Sequence, residues 1–216
     1  LLPADPVGAR RVLDDSRIGD SPIRRIVFGL TRAEIAGLLG DGIGAEANLA
    51  SVMVGLRGLT RSFRADAADA VMQVGEFFGA YDAAAEAAEE SLGIAREVSE
   101  ELGTPQSRRD VSVALNNVGR VAERRDDLDA AMQCFGEALG IQRELADSLG
   151  TPQSRRDLAL SLNSVGRVAE QRGDLIVAGR CFEEALGIQR ELAVLLGTPE
   201  SRRDLALSLN SVGRVA

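Results

Sequence analysis

The sequence predicts an all-α fold, a right-handed superhelical solenoid built from antiparallel helix pairs. Three observations in the chain of 216 residues favour it. One segment recurs with a fixed period, as in arrays of stacked supersecondary units. Each copy carries apolar residues at helical spacing. A Gly-Thr-Pro sequence interrupts the chain at the start of every copy, which excludes one continuous coiled coil because a coiled coil needs unbroken heptads.

The repeat has a period of 47 residues, with full copies at 103–149 and 150–196 and the beginning of a third copy at 197–216. The two full copies differ at only 14 positions. Such near-identity is consistent with recent duplication, so identical positions are not taken as selected ones. We therefore expect each copy to fold as the same unit.

The first helix of each copy is expected to begin at a Thr-Pro pair. In the second copy Thr151 can cap the helix, and Pro152 fixes φ at the first helical position. The apolar residues that follow share one helical face: Leu158, Leu162, Val165 and Ala169.

The second helix follows a turn at Gly173 and Asp174, where Gly permits a left-handed conformation and Asp can cap the next helix. Gly197 then ends it. Its apolar stripe consists of Leu175, Ala178, Phe182, Ala185 and Leu192. Each helix should have about 21 residues and a length of roughly 30 Å.

Upstream of the full copies the repeat becomes degenerate. We predict a degenerate repeat at 64–102, so that the array spans 64–216, preceded by a degenerate helical region at 31–63 and a linker or irregular segment at 1–30. The linker is predicted because three of the six Pro residues lie in 1–22.

Two features are expected inside the degenerate helical region. Thr31 begins a capping-box pattern that predicts the start of a short helix, and a second amphipathic helix is predicted at about 45–61. The glycine-rich stretch at 40–44 is interpreted as an interhelical turn. A phosphate-binding loop is the weaker alternative, because no strand precedes these glycines.

Composition excludes most catalytic constellations. The chain has no His, and all 25 basic residues are Arg, so imidazole catalysis, lysine Schiff bases and P-loop lysines cannot occur. We therefore expect no enzyme, no catalytic residues, no cofactor and no metal site. A weaker alternative places an enzyme in 1–63, which offers only Ser, Asp, Glu and Arg without a recognisable arrangement.

Net charge and hydropathy limit the classes of partner that the chain is expected to bind. A net charge of −8 and 3% aromatic residues argue against nucleic acid, and no apolar run is long enough for a membrane span. Cys134 and Cys181 lie one period apart, at equivalent sites too distant for a disulfide, and are expected as small buried hydrophobic residues. This fits a cytoplasmic location.

The copies resemble the tetratricopeptide repeat family over about 64–216. In the second copy the family signature falls on Leu162, Val165, Gly166, Ala169, Gly173, Leu175, Ala178, Phe182, Ala185 and Leu186. The first copy carries Leu115, Val118, Gly119, Ala122, Leu128, Ala131, Phe135, Ala138 and Leu139, with Asp126 at the turn glycine, and the third carries Leu209, Val212 and Gly213. Family units are usually shorter, so the chain looks closer to the long-helix variants of bacterial multidomain signalling proteins.

The resemblance implies that a peptide or protein segment binds to a concave surface lined by the first helices. The residues expected there are Asn116, Arg120, Glu123, Asn163, Arg167, Glu170, Asn210 and Arg214. An Asn can donate to and accept from one peptide unit, and an Arg can bind a carboxylate, which favours an acidic partner. The alternative is that the Arg and Glu residues pair with each other and only keep this face soluble.

The start of each first helix carries an Arg pair: Arg108 and Arg109, Arg155 and Arg156, Arg202 and Arg203. Positive charge is unfavourable there because of the helix dipole. We expect these pairs to bind Glu144, Glu191 and nearby acids of adjoining helix ends. An anionic partner along this edge is the alternative.

The chain stops inside a first helix whose apolar stripe has no second helix to cover it. This predicts either a segment of a longer protein or an end that packs on another molecule. We therefore expect a non-enzymatic binding scaffold, the sensor or adaptor segment of a larger bacterial signalling or defence protein. The alternative is a self-assembling module that forms head-to-tail oligomers.

Overall fold

The computed structural model describes residues 22–56 and 59–215, and every regular element within these ranges is an α-helix. In chain order the helices are α1 (Pro22–Leu38), α2 (Gly42–Leu56), α3 (Arg61–Phe78), α4 (Tyr81–Leu102), α5 (Pro105–Arg124), α6 (Leu128–Leu149), α7 (Pro152–Gln171), α8 (Leu175–Leu196) and α9 (Pro199–Val215). They divide into two compact units, one up to Glu97 and the other from Val98 onward.

The second unit confirms the predicted all-α repeat of antiparallel helix pairs. Helices α5, α7 and α9 are the first helices of the three copies, and α6 and α8 are the second helices. Each first helix packs against the second helix of its own copy or of the copy before it. The full copies have helices of 20 and 22 residues, close to the predicted length.

Local side chains fix the helix starts as the sequence predicts. The Thr151 hydroxyl accepts a hydrogen bond from the backbone N–H of Ser154 at 3.1 Å, and Pro152 occupies the first turn. In the first copy the cap is reciprocal, because Ser107 Oγ also accepts from the Thr104 N–H at 3.1 Å. These contacts satisfy N–H groups that have no partner inside the helix.

The turn between the helices of a copy requires a left-handed residue. Gly173 has φ +80° in the second copy, and Asp126 has φ +62° at the equivalent position of the first. Asp126 is the one non-glycine residue with positive φ in the part of the chain described here. Asp174 and Asp127 then cap the second helices through their carboxylates, as the sequence predicts for Asp174.

The core of each copy lies where a glycine of the first helix meets a phenylalanine of the second. A Cβ added to Gly166 would lie 2.6 Å from Phe182 Cε1, and one added to Gly119 would lie 2.8 Å from Phe135 Cε1. Both phenylalanines are almost fully buried. The absence of a side chain on the first helix therefore makes room for an aromatic ring on the second.

The start of α1 differs from the sequence prediction. Thr31 lies inside the helix, and its hydroxyl donates to the carbonyl oxygen of Val27 at 2.9 Å. The predicted helix start at Thr31 is therefore wrong, since a threonine inside a helix can bond to the carbonyl four residues earlier instead of capping. Of the predicted linker, 1–21 lies outside the described residues and the remainder belongs to α1.

The glycine-rich stretch at 40–44 is only partly the interhelical turn that the sequence predicts, because α2 already begins at Gly42. Gly40 has φ +76°, and Asp41 Oδ1 accepts from the Gly44 N–H at 2.8 Å at the start of α2. The helix predicted at about 45–61 is α2, which ends at Leu56, and 57–58 lie outside the described residues. The predicted boundaries at 30, 63 and 102 stay predictions.

Within 22–56 and 59–215, no helix is both long and apolar enough to cross a membrane.

Candidate functional site

The predicted Arg and Glu residues of the first helices bind each other across neighbouring copies. Arg167 of the second copy forms an ion pair with Glu123 of the first. Arg214 of the third copy donates to both carboxylate oxygens of Glu170 in the second, at 3.2 and 2.9 Å. The structure therefore brings four of the eight predicted site residues together as two equivalent contacts between copies.

Each of these arginines also covers an aromatic ring. The guanidinium carbon of Arg167 lies 5.7 Å from the centre of the Phe135 ring, and that of Arg214 lies 5.8 Å from the Phe182 ring. Burial lowers the pKa of the Arg167 guanidinium, and the positive charge of Arg214 lowers it further. These side chains hold successive copies in register through charge and through cation–π contact.

The predicted asparagines lie partly covered and bond within their own helix. Asn116 Nδ2 donates to the carbonyl oxygen of Ser112 at 2.9 Å. The side-chain oxygens of Asn116 and Asn163 are buried with no hydrogen-bond partner in the described part of the chain, whereas Asn210 is exposed. An acceptor for a peptide N–H is thus present in two copies, but both oxygens are shielded from solvent.

Arg120 belongs to the first full copy and is exposed, and its Nη2 donates to Asn117 Oδ1 at 3.1 Å. Whether any of the eight residues binds a peptide stays a prediction.

The sequence reading missed a row of exposed apolar side chains on the first helices. Val113, Leu160 and Leu207 occupy equivalent positions and are 50%, 49% and 54% exposed. Each lies seven residues before the arginine of its own copy, so the apolar side chain and the guanidinium share one helical face. We call Val113, Leu160 and Leu207 the apolar row. The signal was present in the sequence, since all three copies have a branched apolar residue at this position.

The Arg pairs at the helix starts of the two full copies bind acids as predicted, and the role of Arg202 and Arg203 stays a prediction. Arg108 and Arg155 pair with Glu144 and Glu191 of the second helices. Their neighbours reach the next copy: Arg109 pairs with Asp157 at 2.7 Å, and Arg156 with Asp204 at 2.6 Å. The hydrogen bond to Asp204 raises the pKa of Arg156. In the two full copies this edge therefore joins copies through internal ion pairs.

Cys134 and Cys181 form no disulfide among the residues described, and each is half-buried on a second helix. Cys181 packs against two apolar clusters, one formed by residues of both full copies and one within the second copy. Burial raises the pKa of its thiol, and the nearby Glu184 carboxylate adds to this effect. The predicted role as a small apolar side chain holds for the packing of Cys181, although neither cysteine is fully buried.

Among the side chains that the structure describes, no group of three or more Cys, Asp or Glu residues could hold a metal ion.

Comparison with known proteins supports the fold alone. No family model and no curated protein matches the chain. The chain is similar to the crystal structure of BtubC (BKLC) from P. vanneervenii, with a TM-score of 0.58 and 21% identity over 97% of this chain and 78% of that one. It also aligns with the de novo designed helical repeat protein DHR64, with a TM-score of 0.35 and 16% identity over 90% of this chain and 94% of that one. The BtubC likeness agrees with a helical repeat fold.

Proposed function

We propose that this chain is a non-enzymatic scaffold that binds a segment of another protein across its first helices. The observation that carries this proposal is the apolar row, three half-exposed branched side chains at one position in three successive copies. Side chains of this kind that are not buried by their own fold supply the contact area on which binding depends. A repeated row offers that area at regular intervals to an elongated partner.

The tetratricopeptide resemblance adds the finer part of the proposal. Members of that family bind peptide segments through their first helices, and a long-helix array of this kind would serve as the sensor or adaptor segment of a larger bacterial signalling or defence protein in the cytoplasm. Arg120 lies on the same helical face as Val113 and favours an acidic residue in the bound segment. Arg167 and Arg214 bind glutamates of the copy before, so we assign them to the joints between copies as well.

The test compares two triple variants of the whole chain. A peptide is first selected from a random display library for binding to the wild-type chain, and its dissociation constant is measured by fluorescence anisotropy. Replacing the apolar row (Val113→Ser, Leu160→Ser and Leu207→Ser) should weaken binding about a hundredfold, because each lost apolar contact costs roughly 1 kcal/mol.

The matched control removes exposed apolar side chains from α8 instead. Ile176, Val194 and Leu195 are at least as exposed as the apolar row. Their replacement by Ser should leave the dissociation constant within a factor of two. Equal losses in the two variants, or no loss in the first, would contradict binding at the apolar row. Arg120→Ala should weaken the binding only of those peptides that contain an acidic residue.

Self-association is the second candidate, and one observation favours it. Leu209 of α9 is 48% exposed, whereas its equivalents Leu115 and Leu162 are 1% and 0% exposed beneath their second helices. Packing of α9 against a second copy of the chain would cover this side chain. Light scattering should then show a mass that rises with protein concentration, and Leu209→Glu should abolish the rise. A constant monomer mass in the wild-type chain would contradict this candidate.

A further inference from the structure

A cleft lies between the starts of α7 and α9, against the last turns of α8. Its volume is about 450 Å³, and its lining includes Arg156, Gln189, Leu192, Leu196, Glu200 and Asp204. An equivalent cleft one repeat earlier has a volume of about 160 Å³. The two clefts share most of their residue types, so their few differences indicate what the larger one can hold.

Gln189 lines the larger cleft without a hydrogen bond at its side-chain oxygen. The residue is 1% exposed, and Oε1 has no partner within the described residues. In the smaller cleft the equivalent Gln142 also has an unpartnered Oε1, but its Nε2 donates to Ser112 Oγ. Ala159 replaces that serine in the second copy. A buried carbonyl oxygen without a donor is costly, and a ligand that donates a hydrogen bond would remove that cost.

The larger cleft also has an additional carboxylate. In the first two copies a Gln at the helix start donates to the Asp four residues later: Gln106 to Asp110 at 2.7 Å and Gln153 to Asp157 at 2.8 Å. The third copy has Glu200 at this position, four residues before Asp204. Two carboxylates at this spacing repel each other on a helix, and a cation between them would relieve the repulsion.

Arg156 also lines the cleft, and its positive charge balances only part of the negative charge of the carboxylates. Arg156 uses Nε to bind Oδ2 of Asp204 at 2.6 Å and is also attracted by the charge of Glu200, so one guanidinium faces two carboxylates of α9. The dipole of α9 disfavours a cation at the start of this helix, but the effect is small at an exposed site. Leu192 and Leu196 of α8 supply an apolar wall beside the oxygen atoms.

We propose that this cleft binds a primary ammonium group on a short aliphatic chain. The ammonium donates to Gln189 Oε1 and to the carboxylates of Glu200 and Asp204, and the chain lies along Leu192 and Leu196. An ammonium has three donors and no acceptor, which matches a site that presents oxygen atoms. Two sources share this chemistry, a lysine side chain of a bound protein and a free aliphatic diamine.

The test follows the side-chain amide signal of Gln189 by NMR in the whole chain. Titration with n-butylammonium chloride should shift this signal in a saturable way, whereas sodium butyrate at equal ionic strength should not. Nα-acetyl-lysine N-methylamide and 1,4-diaminobutane represent the two sources, and the tighter binder of the two identifies the source. The proposal would be overturned if none of the three amines gave a saturable shift, which is the result expected for a cleft that holds only water. An equal shift with butyrate would also overturn it.

Two variants test the assignment of the oxygen atoms. Glu200→Gln restores the residue of the first two copies and should weaken n-butylammonium binding about tenfold. The control is Glu183→Gln, an exposed acid of α8 outside the cleft. If Glu200→Gln and Glu183→Gln bind alike, the cleft does not use Glu200 and the proposal fails.

Discussion

Gly166 and Phe182 show how one missing side chain determines the distance between two helices. A Cβ at position 166 would approach two carbon atoms of the ring to 2.6 and 2.8 Å, which is closer than real side chains come. Phe182 is enclosed by Ala169 and Ala178, so the ring has little room to move aside. The helices of a copy can therefore pack at this distance only if position 166 carries hydrogen.

Gly166→Ala should destabilise the chain by about 1–3 kcal/mol, because the added methyl group forces the ring or the helix to shift. Gly187 is the matched control, since it lies inside α8 with no atom within 4 Å of an added Cβ. Gly187→Ala should stabilise the chain by about 0.5–1 kcal/mol through helix propensity alone. Urea unfolding of both variants measures the difference, and equal effects would contradict the packing argument.

At the scale of residues, the sequence predicted which side chains share a face but not which of them meet. The positions of Glu123 and Arg167 on their helices follow from the repeat. Their ion pair joins residues 44 positions apart. That contact depends on how far one copy is rotated relative to the next, and no local pattern encodes this rotation. The apolar row was missed for a related reason, because a branched apolar residue in a helix usually signals the core.

At the scale of helices, prediction succeeded wherever the signal was local. Thr151, Gly173 and Gly197 mark helix ends through their own backbone or cap geometry, and each helix of the second copy ends within two residues of the predicted turn. The prediction at Thr31 failed because a threonine side chain can either cap a helix or bond to a carbonyl oxygen inside one. The choice between these depends on the residues before Thr31, which also form helix.

The ion pairs at the helix starts differ in burial, which gives them different strengths. Arg109 reaches from α5 to Asp157 of α7, whose side chain is 11% exposed, whereas Arg108 reaches Glu144 of α6, which is 66% exposed. A double-mutant cycle with alanine should give a coupling energy of about 1 kcal/mol for Arg109 and Asp157. The more exposed pair should give roughly 0–0.5 kcal/mol.

The measurement for both cycles is urea unfolding at low ionic strength, repeated in 1 M NaCl. Salt should reduce the coupling of Arg108 and Glu144 more than that of Arg109 and Asp157, because water and ions reach the former pair more easily. A larger coupling for the exposed pair would show that the contact within a copy, rather than the one between copies, stabilises this edge.

At the scale of the whole molecule, the second unit should transmit a local loss of stability only to neighbouring helices. Leu162 of α7 is fully buried among Ala159 and Ala185, so Leu162→Ala should cost about 2–5 kcal/mol. Hydrogen exchange should accelerate in α7 and α8 and in the helices packed on them, α6 and α9. Helices α1 to α3, which belong to the other compact unit, should exchange as in the wild-type chain. Uniform acceleration along the chain would contradict nearest-neighbour behaviour.

The joints between copies repeat with the sequence itself. Arg109 meets Asp157 as Arg156 meets Asp204, and Arg167 meets Glu123 as Arg214 meets Glu170. Each internal copy thus carries both halves of the contact, one facing backward and one facing forward. A genetic event that inserts or deletes one whole period would create a junction with the same chemistry as those already present. Such a chain can change its length in steps of one copy without evolving a new interface.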